Sequence, residues 1–281
     1  MKKIIFILLL FIAFKADAQQ GADTTKKKVN VADTLKKDLF TAPDTVRHLH
    51  GKFRSLIPPM AMIGYGIGSF YIHPLRHFDH YVYDEAVEHD IITKSHLENY
   101  FQYAPVVLVY GLNLVGVHGK NTFVDRTLIY AMAQGMLTLS LFGVKNATHR
   151  LRPNGADRLS FASGHTGNAF AGAEFMSQEL SEKSVAYSII GYTFATTTGI
   201  MRIYHQDHWF SDVVAGAGFG ILSTKGAYLL YPYIRNAFSK EKKEKNNDIP
   251  IELKKNKQTK SAILMPSYQD GAVGFQFAMQ L

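Results

Sequence analysis

The chain has 281 residues and no cysteine, which excludes thiol catalysis, disulfide bonds and zinc sites built on cysteine. A hydrophobic fraction of 47% is ordinary for a globular protein, and the length suits one core domain with flanking segments. The formal net charge of +8 favours anionic partners such as phosphate esters or acidic lipid head groups. Basic and aromatic residues are not interleaved, so we expect no binding of nucleic acid.

Residues 1–18 have the pattern of a secretory signal peptide. Two lysines precede an apolar run from Ile4 to Phe14, and residues 16–18 match a small-x-small cleavage site. An uncleaved membrane anchor is the alternative, although the apolar run is short for a span that needs about 20 residues. We therefore expect export to the periplasm or to a membrane that faces it.

The central part of the chain is predicted to be helical. Residues 19–52 are polar and predict a flexible lead-in, and five long apolar blocks without strand-like alternation follow. A sixth helix is expected from about 167 to 179. The pattern predicts an all-α bundle of about six helices over residues 53–235. The five apolar blocks are Leu56–Ile72, Tyr103–Val117, Thr127–Val144, Val185–Ile203 and Trp209–Tyr231.

The sequence supports two interpretations almost equally: a bundle that associates with a membrane and a bundle that spans it. Residues 127–144 contain no charge, which meets the usual threshold for a membrane-spanning helix, whereas Asn113, Asp212 and Lys225 interrupt the other blocks. We slightly favour a periplasmic, membrane-associated bundle over a fully integral one.

Residues 236–281 are predicted to contain a charged linker and a short C-terminal β-hairpin. Alternate positions from Val273 to Leu281 are apolar and follow an Asp-Gly turn dipeptide, which is typical of a hairpin strand. Residues 262–266 are the expected partner strand. The hairpin could close over the domain, pair with another chain or contact a membrane, and the first is favoured.

Two segments place polar groups beside predicted helices in a way that suits an anion. Lys145 and Arg152 are seven residues apart, so on one helix they would share a face, and they would repel unless an anion lay between them. Ser163-Gly164-His165 precedes a helix, whose unpaired N–H groups and dipole favour an anion.

A third segment supplies a histidine, an acid and a further cation. His208 and Asp212 are four residues apart and would share a helix face, so the carboxylate can orient the imidazole. Arg202 has a planar, permanently charged group that suits phosphate oxygens. Together the three segments contain the cations, the nucleophile and the proton donor that phosphoryl transfer needs.

These residues resemble the signature of the type-2 phosphatidic acid phosphatase and vanadium haloperoxidase superfamily. Its motifs are Lys-x6-Arg-Pro, Pro-Ser-Gly-His and Ser-Arg-x5-His-x3-Asp, and they recur here in order with intact spacing, over roughly residues 100–232. Two positions differ from the signature. Ala162 replaces the usual proline, which reduces turn rigidity, and Met201 replaces the usual serine, which removes one hydroxyl near the phosphate.

The resemblance implies a role for each matching residue. His208 would attack phosphorus to form a phosphohistidine, Asp212 would orient it, and His165 would protonate the leaving oxygen and later activate water. The resemblance implies no metal and no cofactor. The implied phosphate-binding residues are Lys145, Arg152, Ser163, Gly164 and Arg202.

The function implied by the resemblance is hydrolysis of a phosphomonoester or a pyrophosphate. The apolar helices favour a phosphorylated lipid such as phosphatidic acid, undecaprenyl diphosphate or lipid A, bound at a membrane surface with the active site facing the periplasm. A soluble periplasmic nonspecific acid phosphatase that acts on small phosphate esters is one alternative. A vanadate-dependent haloperoxidase and a non-catalytic lipid-binding envelope protein are two others.

Other polar residues are given weaker interpretations. His205 with Asp207 and His208 could suggest a metal pair, but a rim role for His205 is favoured because no further ligand is evident. His149 and Arg150 are interpreted as pocket-rim or surface residues and Trp209 as a packing residue. A second possible metal cluster, also disfavoured, contains His73, His77, Asp79 and His80.

Overall fold

The computed structural model describes residues 53–88 and 95–247 and the backbone of two strands at 262–269 and 272–279, with side chains as far as residue 237. The signal peptide and the lead-in predicted for residues 1–52 lie outside the described residues. So do residues 248–261 of the predicted linker.

The described residues form eight α-helices, preceded by a 3-10 turn at Phe53–Leu56, so the all-α class is confirmed. All six regions predicted to be helical contain a helix. The two additional helices, α2 and α3, were missed because α2 is largely polar and α3 has only four residues. In chain order the helices are α1 (Ile57–Gly68), α2 (His73–Glu88), α3 (Glu98–Phe101), α4 (Ala104–Leu114), α5 (Phe123–Thr148), α6 (Gly164–Leu180), α7 (Val185–Tyr204) and α8 (Phe210–Asn247).

Local sequence signals set the starts of several helices. Thr122 caps α5, because its hydroxyl oxygen accepts a hydrogen bond from the backbone N–H of Asp125 at 3.2 Å. Ser184 caps α7 in the same way through the N–H of Ala186. Helices α1 and α4 carry a proline in the first turn, where no intrahelical N–H is required.

Helix α6 lies at the centre of the bundle and packs against α4, α7 and α8. The backbones of α6 and α8 touch, since a Cβ added at Gly220 would lie 2.3 Å from the carbonyl oxygen of Gly167 and 2.8 Å from the nitrogen of Ala171. Only glycine fits such a contact. The main core cluster, which includes Val109, Ile129, Phe175 and Tyr228, joins α4, α5, α6 and α8.

Two helices are long and apolar enough to cross a membrane: α5, and α8 from Phe210 to Ala237. Helices α1 and α2 pass the same test together but are bent by 89° at their junction. Much of α5 faces outward, and Leu139 and Phe142 are 74% and 70% exposed. Exposed apolar surface of this kind supports association with a membrane.

Helix α8 continues through Pro232 to Asn247, so the predicted domain end at residue 235 falls short of the helix end. The mixed Lys and Glu run at 240–245, predicted as a linker, lies within this helix. In the segment predicted as a hairpin, β1 (Ala262–Gln269) pairs antiparallel with β2 (Ala272–Met279), from Ala262 opposite Met279 to Gln269 opposite Ala272.

Candidate active site

Lys145 and Arg152 do not share a helix face, which corrects the prediction made from their spacing. Helix α5 ends at Thr148, and His149 takes the left-handed conformation with φ of 44°. The chain then enters a loop that runs to the start of α6, so Arg152 lies in this loop.

The loop nevertheless folds back so that both cations reach one region. Nζ of Lys145 donates to the carbonyl oxygen of Leu159 at 2.5 Å. Arg152 donates to the carboxylate of Asp157 at 2.8 Å and to the carbonyl oxygen of Asp207 at 3.1 Å. Its Nη1 lies 3.4 Å from Nε2 of His208.

The Ser163-Gly164-His165 turn is tied directly to the segment of the third motif. Ser163 is the fully buried residue before α6, and its backbone N–H donates to the carbonyl oxygen of Asp212 at 3.0 Å. A Cβ added at Gly216 would lie 2.5 Å from the carbonyl oxygen of Ser163. Gly164 is the first residue of α6, so the site contains the helix N-terminus that the sequence predicts.

His208 and Asp212 are close in space but do not share a helix, which is a second correction. Helix α8 begins at Phe210, so His208 lies in the turn before it, and Nδ1 is 3.9 Å from Oδ2 of Asp212. Ser160, which the sequence analysis missed, lies beside both. Its hydroxyl donates to Asp212 at 2.5 Å, and its oxygen is 3.5 Å from Nδ1 of His208.

Arg150 is partly buried, with 13% of its side chain exposed, and lies at the centre of this network, so it is not a surface residue. Nη1 donates to Asp212 at 2.7 Å and to the hydroxyl of Ser211 at 2.8 Å, and Nη2 donates to Asp79 at 2.6 Å. Asp79 also accepts from the backbone N–H and the hydroxyl of Ser211. These donors occupy the Asp79 carboxylate. Asp79 therefore pairs with Arg150 and does not form a metal site with the histidines of α2.

Short helix α3 brings two more residues to the site that sequence reasoning missed. Oδ1 of Asn99 lies 2.9 Å from Nε2 of His165. Glu98 lies 3.4 Å from Nη1 of Arg202, whose Nη2 is 2.9 Å from Asp207. No motif marks these positions, and the contacts with Asn99 and Glu98 span 66 and 104 residues of sequence.

Burial lowers the pKa of His208 below its ordinary value. The charges of Arg152 and Lys145 act in the same direction, while Asp212 opposes them. The imidazole of His208, which is only 3% exposed, is therefore held in its neutral form near neutral pH.

Burial also lowers the pKa of His165, to about 4, with smaller contributions from Arg202 and His208. Glu98 and Asp207 act in the opposite direction. Cations of the first and third motifs thus act on the two imidazoles, so residues of all three motifs lie in one region of the fold. A separate pocket of about 240 Å³ borders this network at Arg150 and includes none of the eight predicted site residues.

The model of the PAP2 superfamily matches residues 154–236. Residues 154–236 are therefore similar to the PAP2 superfamily. The matched segment contains the second and third motifs of the candidate site and begins after Lys145 and Arg152, which the structure places beside them.

Among curated proteins, the chain is similar to a lipid A 1-phosphatase of Porphyromonas gingivalis, at 35% identity over 127 residues. The match covers 45% of this chain and 28% of the length of that relative. Among solved structures, the chain is similar to a transmembrane PAP2-type phosphatidylglycerolphosphate phosphatase from Bacillus subtilis. That similarity has 19% identity and a TM-score of 0.43 and covers 66% of this chain and 96% of the other.

Replacing Arg150 tests the hydrogen-bonded network of this candidate site. Arg150→Leu leaves the carboxylates of Asp79 and Asp212 without their shared cation, so we expect the free energy of unfolding to fall by about 3 kcal/mol or more. Exposed Arg158 is the matched control, and Arg158→Leu should change stability by less than about 0.5 kcal/mol. Thermal unfolding of the two variants measures the difference. Equal melting temperatures would contradict the structural role of Arg150.

Proposed function

We propose that this protein hydrolyses the phosphate ester or diphosphate of a membrane lipid through a phosphohistidine at His208, without a metal ion. The observation that carries the proposal is the single site formed by Lys145, Arg152 and Arg202 around two neutral imidazoles. Three cations and a helix N-terminus match the charge of a phosphoryl group.

In the first step the phosphoryl group would lie against Lys145, Arg152, Arg202 and the free N–H groups at the start of α6. The Nδ1 side of His208 faces Ser160 and Asp212, which leaves Nε2 as the nucleophile next to Arg152. Nε2 would attack phosphorus and form a P–N bond as the bond to the lipid oxygen breaks.

His165 would supply the proton for that leaving oxygen. Protonation requires the imidazolium, and a bound phosphate would favour it because its negative charge offsets the repulsion from Arg202. Once neutral, His165 would take a proton from water, and the resulting hydroxide would attack the phosphohistidine. Inorganic phosphate would then leave, and His208 would return to its starting form.

The position of the site in the bundle supports a lipid substrate. Lys145 lies at the end of α5, and Asp212 lies in the first turn of α8. If these two helices cross a bilayer, the site lies at one membrane face, where lipid phosphates are found. The signal peptide predicted from the sequence favours the periplasmic face. The lipid A 1-phosphatase relative makes a lipid A-type phosphate the first substrate to test.

A phosphate-release assay with purified protein and a chelator present tests the proposed reaction. The substrates are a lipid A-type phosphate, phosphatidic acid, undecaprenyl diphosphate and the soluble ester p-nitrophenyl phosphate. We expect a lipid to have the highest kcat/KM and His208→Ala to lower kcat by about 10³-fold or more. His77→Ala, at an exposed histidine of α2, should have no effect.

Other results would favour other functions. Preference for the soluble ester would favour a nonspecific acid phosphatase, and bromide oxidation after addition of vanadate would favour a haloperoxidase. Full turnover by His208→Ala would contradict the mechanism. No phosphate release from any of the substrates would favour a non-catalytic lipid-binding protein.

Substitution of Asn99 tests whether His165 is the proton donor, through the pH dependence of kcat/KM. Asn99→Asp places a negative charge beside the imidazole, which should raise the pKa of His165 by about 1–2 units. Because the proposed acid must be protonated, the pH optimum of kcat/KM should move to higher pH. Asn99→Ala removes the same hydrogen bond without adding charge and should not produce this upward shift. The same profile in both variants would argue against His165 as the acid.

A further inference from the structure

Three potential metal ligands lie beside the site and have no role in the proposed mechanism. His96 precedes α3, Glu98 begins it, and His205 follows α7, and their ligand atoms lie within 4.8 Å of one another. Nδ1 of His96 is 3.3 Å and Nδ1 of His205 is 3.1 Å from the same oxygen, Oε1 of Glu98.

These separations fit the geometry of a tetrahedral zinc site. Zinc binds histidine nitrogen and carboxylate oxygen at about 2.0–2.2 Å, which places neighbouring ligand atoms about 3.3–3.5 Å apart. Two histidines and one glutamate form a known zinc ligand set that leaves a fourth position open. Among the side chains that the structure describes, no other group of three such ligands is as close.

The second carboxylate oxygen of Glu98, Oε2, distinguishes a metal site from a simple hydrogen-bonded cluster. Two imidazole N–H donors to Oε1 would explain the contacts of that oxygen. They leave Oε2 buried without a hydrogen-bond partner among the described residues. Glu98 is fully buried, and the Arg202 guanidinium approaches Oε1 only to 3.4 Å. A buried carboxylate oxygen without a partner is costly, and a bound cation would remove that cost.

The exposure of the three side chains also suits a bound cation. The side chains of Glu98 and His205 are 0% and 6% exposed, whereas His96 is 69% exposed and leaves the site open to solvent.

We propose that His96, Glu98 and His205 bind a divalent transition-metal ion, with Zn²⁺ as the best match. The ion would be held by two imidazole nitrogens and the Glu98 carboxylate, with water in the fourth position. It would lie next to Arg202, outside the groups that perform the proposed reaction, so the reaction itself does not depend on it.

Calorimetric titration of Zn²⁺ into the chelator-treated full chain tests this site. We expect one saturable strong site in the wild type and an affinity at least about tenfold lower in His96→Ala, which loses one of three protein ligands. His96 is exposed, so this substitution leaves the fold intact. The control His77→Ala changes another exposed histidine and should keep the wild-type affinity.

Glu98→Gln provides a second variant and should lose the strong site while it retains both imidazoles. Because Glu98 is buried, its circular dichroism spectrum is compared with that of the wild type, and His96→Ala carries the test if Glu98→Gln does not fold. The absence of a saturable Zn²⁺ site in the wild type would overturn the proposal. So would equal Zn²⁺ affinity in the wild type and His96→Ala.

Discussion

The buried carboxylate of Asp212 is the constraint on which the rest of the site depends. It is fully buried in the first turn of α8, where an unpaired negative charge would be strongly destabilising. Three donors satisfy it: the Arg150 guanidinium, the Ser160 hydroxyl and the backbone N–H of Trp209. The imidazole of His208 lies 3.9 Å away. Each donor comes from a chain segment that must be in position for the helix to be buried.

This requirement links parts of the chain that are distant in sequence. Arg150 also binds Asp79, so the contact holds α2 against the loop that follows α5. The backbone carbonyl of Asp212 accepts from Ser163, which fixes the start of α6. Through its carboxylate and its backbone carbonyl, Asp212 therefore aligns the two helix starts that carry the proposed nucleophile and the proposed anion-binding N–H groups.

The sequence predicts the helical regions and the polar groups of the site better than it predicts how they meet. Apolar blocks identify five of the six helical regions because each has to bury or shield a long apolar surface. The motif residues can be recognised because charged side chains beside apolar helices are uncommon unless they have a structural or functional role. Their local geometry is different from the prediction, since the left-handed turn at His149 and the start of α8 at Phe210 depend on tertiary contacts.

The groups that support the motif residues could not be predicted from one sequence. Asp79 is 71 residues before Arg150, and Asn99 is 66 residues before His165, so their pairing is defined only in the folded chain. Ser160 and Glu98 have ordinary side chains at positions without local periodicity. Even so, all four lie within hydrogen-bond distance of a motif residue or of Arg150.

The central claim is that His208 becomes covalently phosphorylated. The most direct measurement uses His165→Ala with p-nitrophenyl phosphate, whose leaving group needs no protonation but whose phosphoenzyme would be hydrolysed slowly without His165. After rapid quenching at alkaline pH, mass spectrometry should locate a phosphoryl group on His208. Release of p-nitrophenol with no phosphorylated His208, or with the phosphoryl group on another residue, would contradict the account.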